Sequence, residues 1–247
     1  MRVVLFFFDF ILCKYYSYSI VFYKEVGKMK KVNNMFPYQC ATFNNVVDGI
    51  MEIQICGKNG EIKVMSHSDD CILTKVKYIS IGKNVDVSPV VKDNCYTIQY
   101  NSNYIECIQI EVYLPEIIFD KISISNENSL IMIYHICAKR LLCENSNSSI
   151  YASMISAESV ALKTIYGKID LSFEKFYLGK NGVLVKVDQG DICIGLPKDH
   201  NLKYDFDLKS DSKKEIYNLL PSKKNDSQVI HNFGIKLRAK NGKIFID

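Results

Sequence analysis

Apolar and polar residues alternate one for one along most of this chain, and the 3.6-residue spacing of an amphipathic helix is nearly absent. Ile53-Gln54-Ile55 and Ile62-Lys63-Val64 flank Lys58-Asn59-Gly60, a turn sequence. Apolar residues run from Ile72 to Ile81, interrupted by Lys75 and Lys77. Val85 to Val91 contains Pro89, which cannot donate a ladder hydrogen bond, so this strand is expected at an edge or irregular. Ile98-Gln99-Tyr100 follows, Ile108 to Leu114 alternates until Pro115, and Ile122-Ser123-Ile124-Ser125 alternates again. Gly234–Ala239 and Lys243–Ile246 predict the last strands. The polar, lysine-rich stretch 209–228 predicts a surface insertion, with one helical turn around Glu215–Leu220.

One unit recurs: a short strand, a turn ending in Gly or Ser, one residue, then apolar-x-apolar. It is seen at Asn59–Val64, Asn128–Met132, Ser148–Ala152, Tyr166–Leu171, Gln189–Ile194 and Asn241–Ile246. Taken from Leu130, Ile150, Ile169 and Ile192, the spacing is 20, 19 and 23 residues. An apolar strand residue precedes each unit by seven or eight positions: Ile122, Leu142, Leu162, Val185 and Leu237. A unit this short cannot bury its own apolar face, but stacked on its neighbours it pairs backbone with backbone about 4.8 Å per layer. The inward Ile, Leu and Val then pile into columns. The expected inward column is Leu130, Ile150, Ile169 and Ile192, and the expected outward stripe is Ile131, Tyr151, Asp170 and Cys193. Asn126, Asn128, Asn145, Asn147 and Asn181 fall near the corners, where side-chain amides can ladder or cap the turn. The predicted fold is an all-β solenoid over residues 36–247. The alternative is an antiparallel β-sandwich, which the Asn-Gly turns at 59–60 and 241–242 would suit as hairpins.

These strands, Ile110 to Pro115, Ile122 to Ile124 and the serial small-x-Ile-x-apolar units up to Ile194, resemble bacterial adhesin-like β-strand-repeat domains of unknown function. Asn241–Ile246 fits the same pattern, so the resemblance spans roughly residues 40–247. It implies a right-handed, parallel β-helix-like solenoid and no established enzymatic activity. Ser129 and Ser149 depart from it, standing where Gly would be usual.

Composition adds limits. Among 247 residues, 48% are hydrophobic and 23% charged, enough for a real core and unlike a disordered or collagen-like chain. A net charge of +4, spread along the chain, does not argue for nucleic acid. The nine cysteines form no C-x-x-C, which predicts reduced thiols packed as small hydrophobes. The four histidines, His67, His135, His200 and His231, share no metal-like spacing, so no metal or cofactor is expected. His67 beside Ser66, Ser68, Asp69 and Asp70 reads as a solvated turn or an acid/base cluster; His135, at a strand end, reads as structural.

Residues 3–13 resemble a signal-peptide core, but Asp9 interrupts it, Lys14 ends it, and it is too short to span a membrane as a helix. Lys24-Glu25-Val26 back-translates to a purine-rich ribosome-binding sequence just before Met29. Residues 1–28 are therefore expected to be a translated leader, with Met29 the start and a cytoplasmic location; a genuine signal would place the protein at the cell envelope or surface. The expected function is a non-enzymatic binding or scaffold module. Its partner would be a protein or an envelope component, with self-association through end layers and residues 36–56 and 209–228 as candidate caps. The alternative is a carbohydrate-active β-helix enzyme using Asp170, Asp188 and Asp191.

Overall fold

The structure, a computed structural model, describes residues 39–80, 86–100, 104–175, 182–197, 202–210, 216–218 and 231–247. The expected leader and Asn181 lie outside them. The described chain opens with β1 (Gln39–Val46), β2 (Glu52–Cys56), β3 (Gly60–His67), β4 (Cys71–Ser80), β5 (Val90–Lys92) and β6 (Cys95–Gln99). It continues with β7 (Ile105–Pro115), β8 (Phe119–Asn126), β9 (Ile131–Tyr134), β10 (Cys137–Asn145), β11 (Ile150–Tyr166) and β12 (Ile169–Lys175). The last six are β13 (Val183–Gln189), β14 (Ile192–Gly195), β15 (Leu202–Ser210), β16 (Ile216–Asn218), β17 (His231–Asn241) and β18 (Ile244–Ile246).

Strands joined by a corner form a layer, and layers stack by parallel pairing. The order along the stack is β6–β7, β2–β3, β8–β9, β10 with the start of β11, the rest of β11 with β12, β13–β14, β17–β18 and β15–β16. This is the expected β-solenoid. The sandwich alternative fails because β2 and β3 each bond to the layers above and below rather than across Asn59-Gly60; that turn is a corner, not a hairpin.

The register corrects the predicted column by one residue. Ile131, not Leu130, pairs with Ile150, and Ile150, Ile169, Ile192 and Ile244 follow in line. Ile131 is fully buried, so it does not belong to the outward stripe; Met132 takes that place opposite Tyr151. The same slip holds at Leu142, which faces out between the inward Leu141 and Cys143. The source is local: in Ser129-Leu130-Ile131-Met132-Ile133 three consecutive apolar residues leave the period-two phase open. The completed inward column is Ile110, Ile62, Ile131, Ile150, Ile169, Ile192 and Ile244, each 0% exposed. Burying each contributes roughly 1.5–3 kcal/mol. A second column of Ile98, Ile55, Ile124, Cys143, Leu162, Val185 and Leu237 lines the first strand of each layer.

Corners after the first strand use two chemistries. In the early layers asparagine amides satisfy the bend. Asn126 donates to the Gly60 and Ser129 carbonyls at 2.7 and 3.0 Å, and Asn145 donates to the Ser129 carbonyl at 2.8 Å. On the outside, Asn147 donates to Asn128 and Asn128 to Asn59, an amide ladder over three layers. Later corners use glycine: Gly167, Gly190 and Gly242 approach the backbone of the neighbouring layer, and the first two have φ of 125° and 136°. Ser148 is the residue that stands in the glycine position of its corner, one place before Ser149.

Both ends of the stack depart from chain order. The first layer in sequence, β2–β3, lies second in space, and the last, β17–β18, lies second from the other end. The predicted insertion 209–228 is partly a layer: Lys209 and Ser210 end β15, and residues 216–218 are β16, extended beside β18 where a helical turn was expected. At the other end the parallel stack changes to antiparallel pairing, β4 on β7, β1 on β4, and β5 on β6. β5 is the expected edge strand after Pro89. Of the proposed cap 36–56, β1 lies at this end, paired with β4, while 52–56 lies inside the stack. Antiparallel strands of mixed exposure blunt the pairing edge of the parallel layers.

Candidate functional site: the outer face of the second strands and its groove

The second strand of each layer presents its outer side as a flat surface. Lys63, Met132, Tyr151, Asp170, Cys193 and Phe245 follow one another across adjacent layers, with Tyr113, Met65, Tyr134 and Ser153 in the next row. Tyr134, Tyr151 and Met154 are exposed, at 37%, 36% and 49%. Lys75 Nζ lies 4.8 Å from the Tyr113 ring centroid, a cation–π contact at the border of this face.

Where the second strands turn toward the next layer, a groove of about 210 Å³ opens. Ser66, Pro115, Glu116, Phe119, His135, Ile136, Cys137, Ser156 and Glu174 line it. His135 has φ 52° and Met154, one layer on, has φ 56°, so the left-handed bend belongs to the corner itself. At His135 that bend sets the imidazole between two groups. Nδ1 is 2.9 Å from the Ser66 hydroxyl and Nε2 is 3.3 Å from Glu174 Oε2. A carboxylate only accepts, so this arrangement favours the proton on Nε2 and leaves Nδ1 to accept from Ser66. These three residues come from three layers, with 69 positions from Ser66 to His135 and 39 from His135 to Glu174. No local motif could have signalled them; only the stacking register brings them together.

The carboxylates singled out from sequence each hold a different partner, although Asp170 and Asp191 both lie near Cys193. Asp170 accepts from Lys168 at 2.8 Å on the outer face. That bond holds the Lys168 ammonium above its ordinary pKa. Asp188 pairs with Lys186 at 3.5 Å, and Asp191 Oδ1 accepts from the Lys243 backbone at 2.8 Å. Burial pushes the Cys193 thiol up, so it stays protonated beside Asp170. His67 caps its own turn through Nε2 to the Cys71 carbonyl at 2.7 Å and packs edge-on against Tyr113. Its Nδ1 lies 3.5 Å from Oδ2 of the exposed Asp69, Asp70 is exposed, and Ser66 reaches a second histidine, His135. Among the described residues the eight cysteines form no disulfide, and no group of three or more His, Cys, Asp or Glu could hold a metal. Among them, too, no helix is long and apolar enough to cross a membrane.

The sequence matches the Toastrack DUF4097 family model over residues 51–195, which takes in β2 to β14. The chain belongs to the Toastrack DUF4097 family. No curated protein matches it significantly. The Toastrack stack is similar to a crystal structure from Clostridium sporogenes described as a "putative cell adhesion protein". That likeness has 12% identity and a TM-score of 0.50, covering 85% of this chain and 99% of the other. A "putative adhesin" from Parabacteroides distasonis aligns at 13% identity and a TM-score of 0.36, over 85% and 97%.

Proposed function

We propose that this Toastrack protein is an adhesin-like binding or scaffold module that recognises a protein or envelope component through the outer face of its second strands. The observation that carries this reading is the run of Met65, Met132, Tyr134, Tyr151 and Met154 on neighbouring layers, an aromatic and thioether surface left outside the core. Tyr and Met are suited to recognition: each offers a large contact area, and Met adapts to the shape it meets. The description of the C. sporogenes structure as an adhesion protein supports the same role. The carbohydrate-active alternative is less well supported, because Asp170, Asp188 and Asp191 each serve a local partner rather than a shared cleft.

The test is co-sedimentation of the purified protein with bacterial envelope fractions, alongside Met132→Lys/Tyr151→Lys. Binding by the parent chain that falls at least about tenfold in the variant, at equal melting temperature, supports the face as the recognition surface. Equal binding by both removes it. Release of reducing ends from glycans, lost in Asp170→Asn, would replace the binding reading with the enzymatic one. Self-association through end layers belongs to the same proposal and is read by size exclusion across a concentration series.

A further inference from the structure

We propose that the groove beside this face is a serine acyl-hydrolysis site for small esters, with Ser66 as nucleophile, His135 as general base and Glu174 as the residue that positions the imidazole. The inference is independent of the binding role above and rests on different residues.

Three features point to it together. Ser66 Oγ lies 2.9 Å from His135 Nδ1, within proton-transfer reach. Glu174 Oε2, 3.3 Å from Nε2, favours the tautomer in which Nδ1 is free to accept the proton. All three groups open into one cavity of about 210 Å³, which has room for a short acyl group. A purely structural role for His135 does not call for a hydroxyl on one nitrogen and a carboxylate on the other at the mouth of a cavity. The same corner is built with Met154 one layer away, so the bend itself does not require histidine.

The chemistry balances with water as the only co-reactant. Ser66 Oγ attacks the ester carbonyl carbon while His135 Nδ1 takes the hydroxyl proton. The carbon–oxygen bond to the alcohol breaks, and the alcohol leaves with that proton. Water then attacks the acyl-serine, giving its proton to His135; the carboxylic acid departs and Ser66 Oγ recovers the proton. Ser156 and Cys137 line the same cavity, and the Ser156 hydroxyl is a side-chain donor for the carbonyl oxygen. Charge on the imidazolium is balanced by Glu174, with Glu116 also on the groove wall.

The test is labelling of the full chain with a fluorophosphonate, read by peptide mass spectrometry, together with hydrolysis of p-nitrophenyl acetate. Ser66 should be labelled at least about a hundredfold faster than exposed Ser88, the scale that a positioned general base contributes. His135→Gln should abolish that preference at unchanged melting temperature. Glu174→Gln should weaken it, while Glu174→Asp should restore part of it, which a packing role alone would not do. Ester turnover should fall in the same order. Labelling of Ser66 no faster than Ser88 in the parent chain overturns the proposal whatever the variants do. Labelling undiminished in a folded His135→Gln overturns it as well.

Discussion

Gly190 rests on Gly167 so closely that a Cβ on Gly190 would lie 2.1 Å from the Gly167 carbonyl oxygen. The obstacle is backbone of the neighbouring layer, which cannot rotate away as a side chain can. Gly190 also has φ 136°, a conformation that L side chains rarely adopt. Gly190→Ala is therefore expected to cost about 3 kcal/mol or more, combining backbone strain with overpacking. Gly234→Ala is the control, since a Cβ there meets nothing within 4 Å. It should change stability by no more than about 0.5 kcal/mol. Urea denaturation of the two variants checks the contrast.

The one-residue register at the third layer has its own test. Ile131 is fully buried between Ile62 and Ile150, whereas Leu130 is only half-buried in the corner before it. Ile131→Asp loses roughly 1.5–3 kcal/mol of apolar burial and places an unpaired carboxylate in the column, so the protein is expected to unfold or aggregate. Leu130→Asp should cost far less. Ile169→Asp and Asp170→Ala form the matching pair two layers on: the first unfolds the chain, and the second removes an exposed ion pair at about 1 kcal/mol or less. Thermal melts of the four variants decide it, and a larger loss for Leu130→Asp than for Ile131→Asp would restore the register expected from alternation.

Stacking itself was readable from the spacing of Ile150, Ile169 and Ile192, because an inward column demands the same residue type once per layer. Phase was readable only where polar residues separated the apolar ones, as in Ile169-Asp170-Leu171; at Leu130-Ile131 it was not. The order of the end layers was hidden for a different reason. β17 and β18 repeat the motif as well as any internal layer, and nothing in their residues says that β15 and β16 lie beyond them. Ile216-Tyr217-Asn218 is too short, among lysines and serines, to announce a strand; pairing with β18 makes it one. The groove was hidden most deeply. Ser66, His135 and Glu174 have no common period, and each taken alone has an ordinary structural explanation.

Corner asparagines carry a prediction that glycines do not. Asn145 is 3% exposed and its amide serves the Ser129 carbonyl at 2.8 Å and the Ser149 carbonyl at 3.4 Å. Asn145→Ala removes both amide bonds, but Ser129 keeps the Asn126 amide and Ser149 keeps the Ile131 N–H, so it should cost about 1 kcal/mol. One layer on, Thr164 fills the same place and donates to the Ser148 carbonyl at 2.9 Å. Asn145→Thr should therefore recover part of the loss. Asn128→Ala, in the exposed ladder, should cost about 0.5 kcal/mol because water replaces the amide. Chemical denaturation midpoints of these three variants order the effects.

Alkaline pH should loosen the end of the stack formed by β6 and β7. The Tyr96 hydroxyl is buried against Thr74 Oγ1 at 2.6 Å, and burial raises its pKa from the ordinary 10.0 to about 12. Tyr100 is raised in the same direction by burial, with its ring laid against Gly57 and Gly60 and its hydroxyl without a hydrogen-bond partner among the described residues. A raised phenol pKa favours the neutral folded form. Its stabilisation is whole below the ordinary pKa and declines as pH rises toward the folded value, because the unfolded chain gives up its proton first. For Tyr96 the decline between pH 10 and 12 amounts to about 2–3 kcal/mol. Melts at pH 9, 10, 11 and 12 should show a steeper fall for the parent chain than for Tyr96→Phe/Tyr100→Phe, the difference isolating these phenols from the lysines that titrate alongside. At neutral pH the single variants should diverge. Tyr100→Phe removes an unpaired buried hydroxyl and should gain about 1 kcal/mol, whereas Tyr96→Phe strands Thr74 and should lose about as much. Equal pH dependence in parent and double variant would show that the two hydroxyls reach solvent in the folded state.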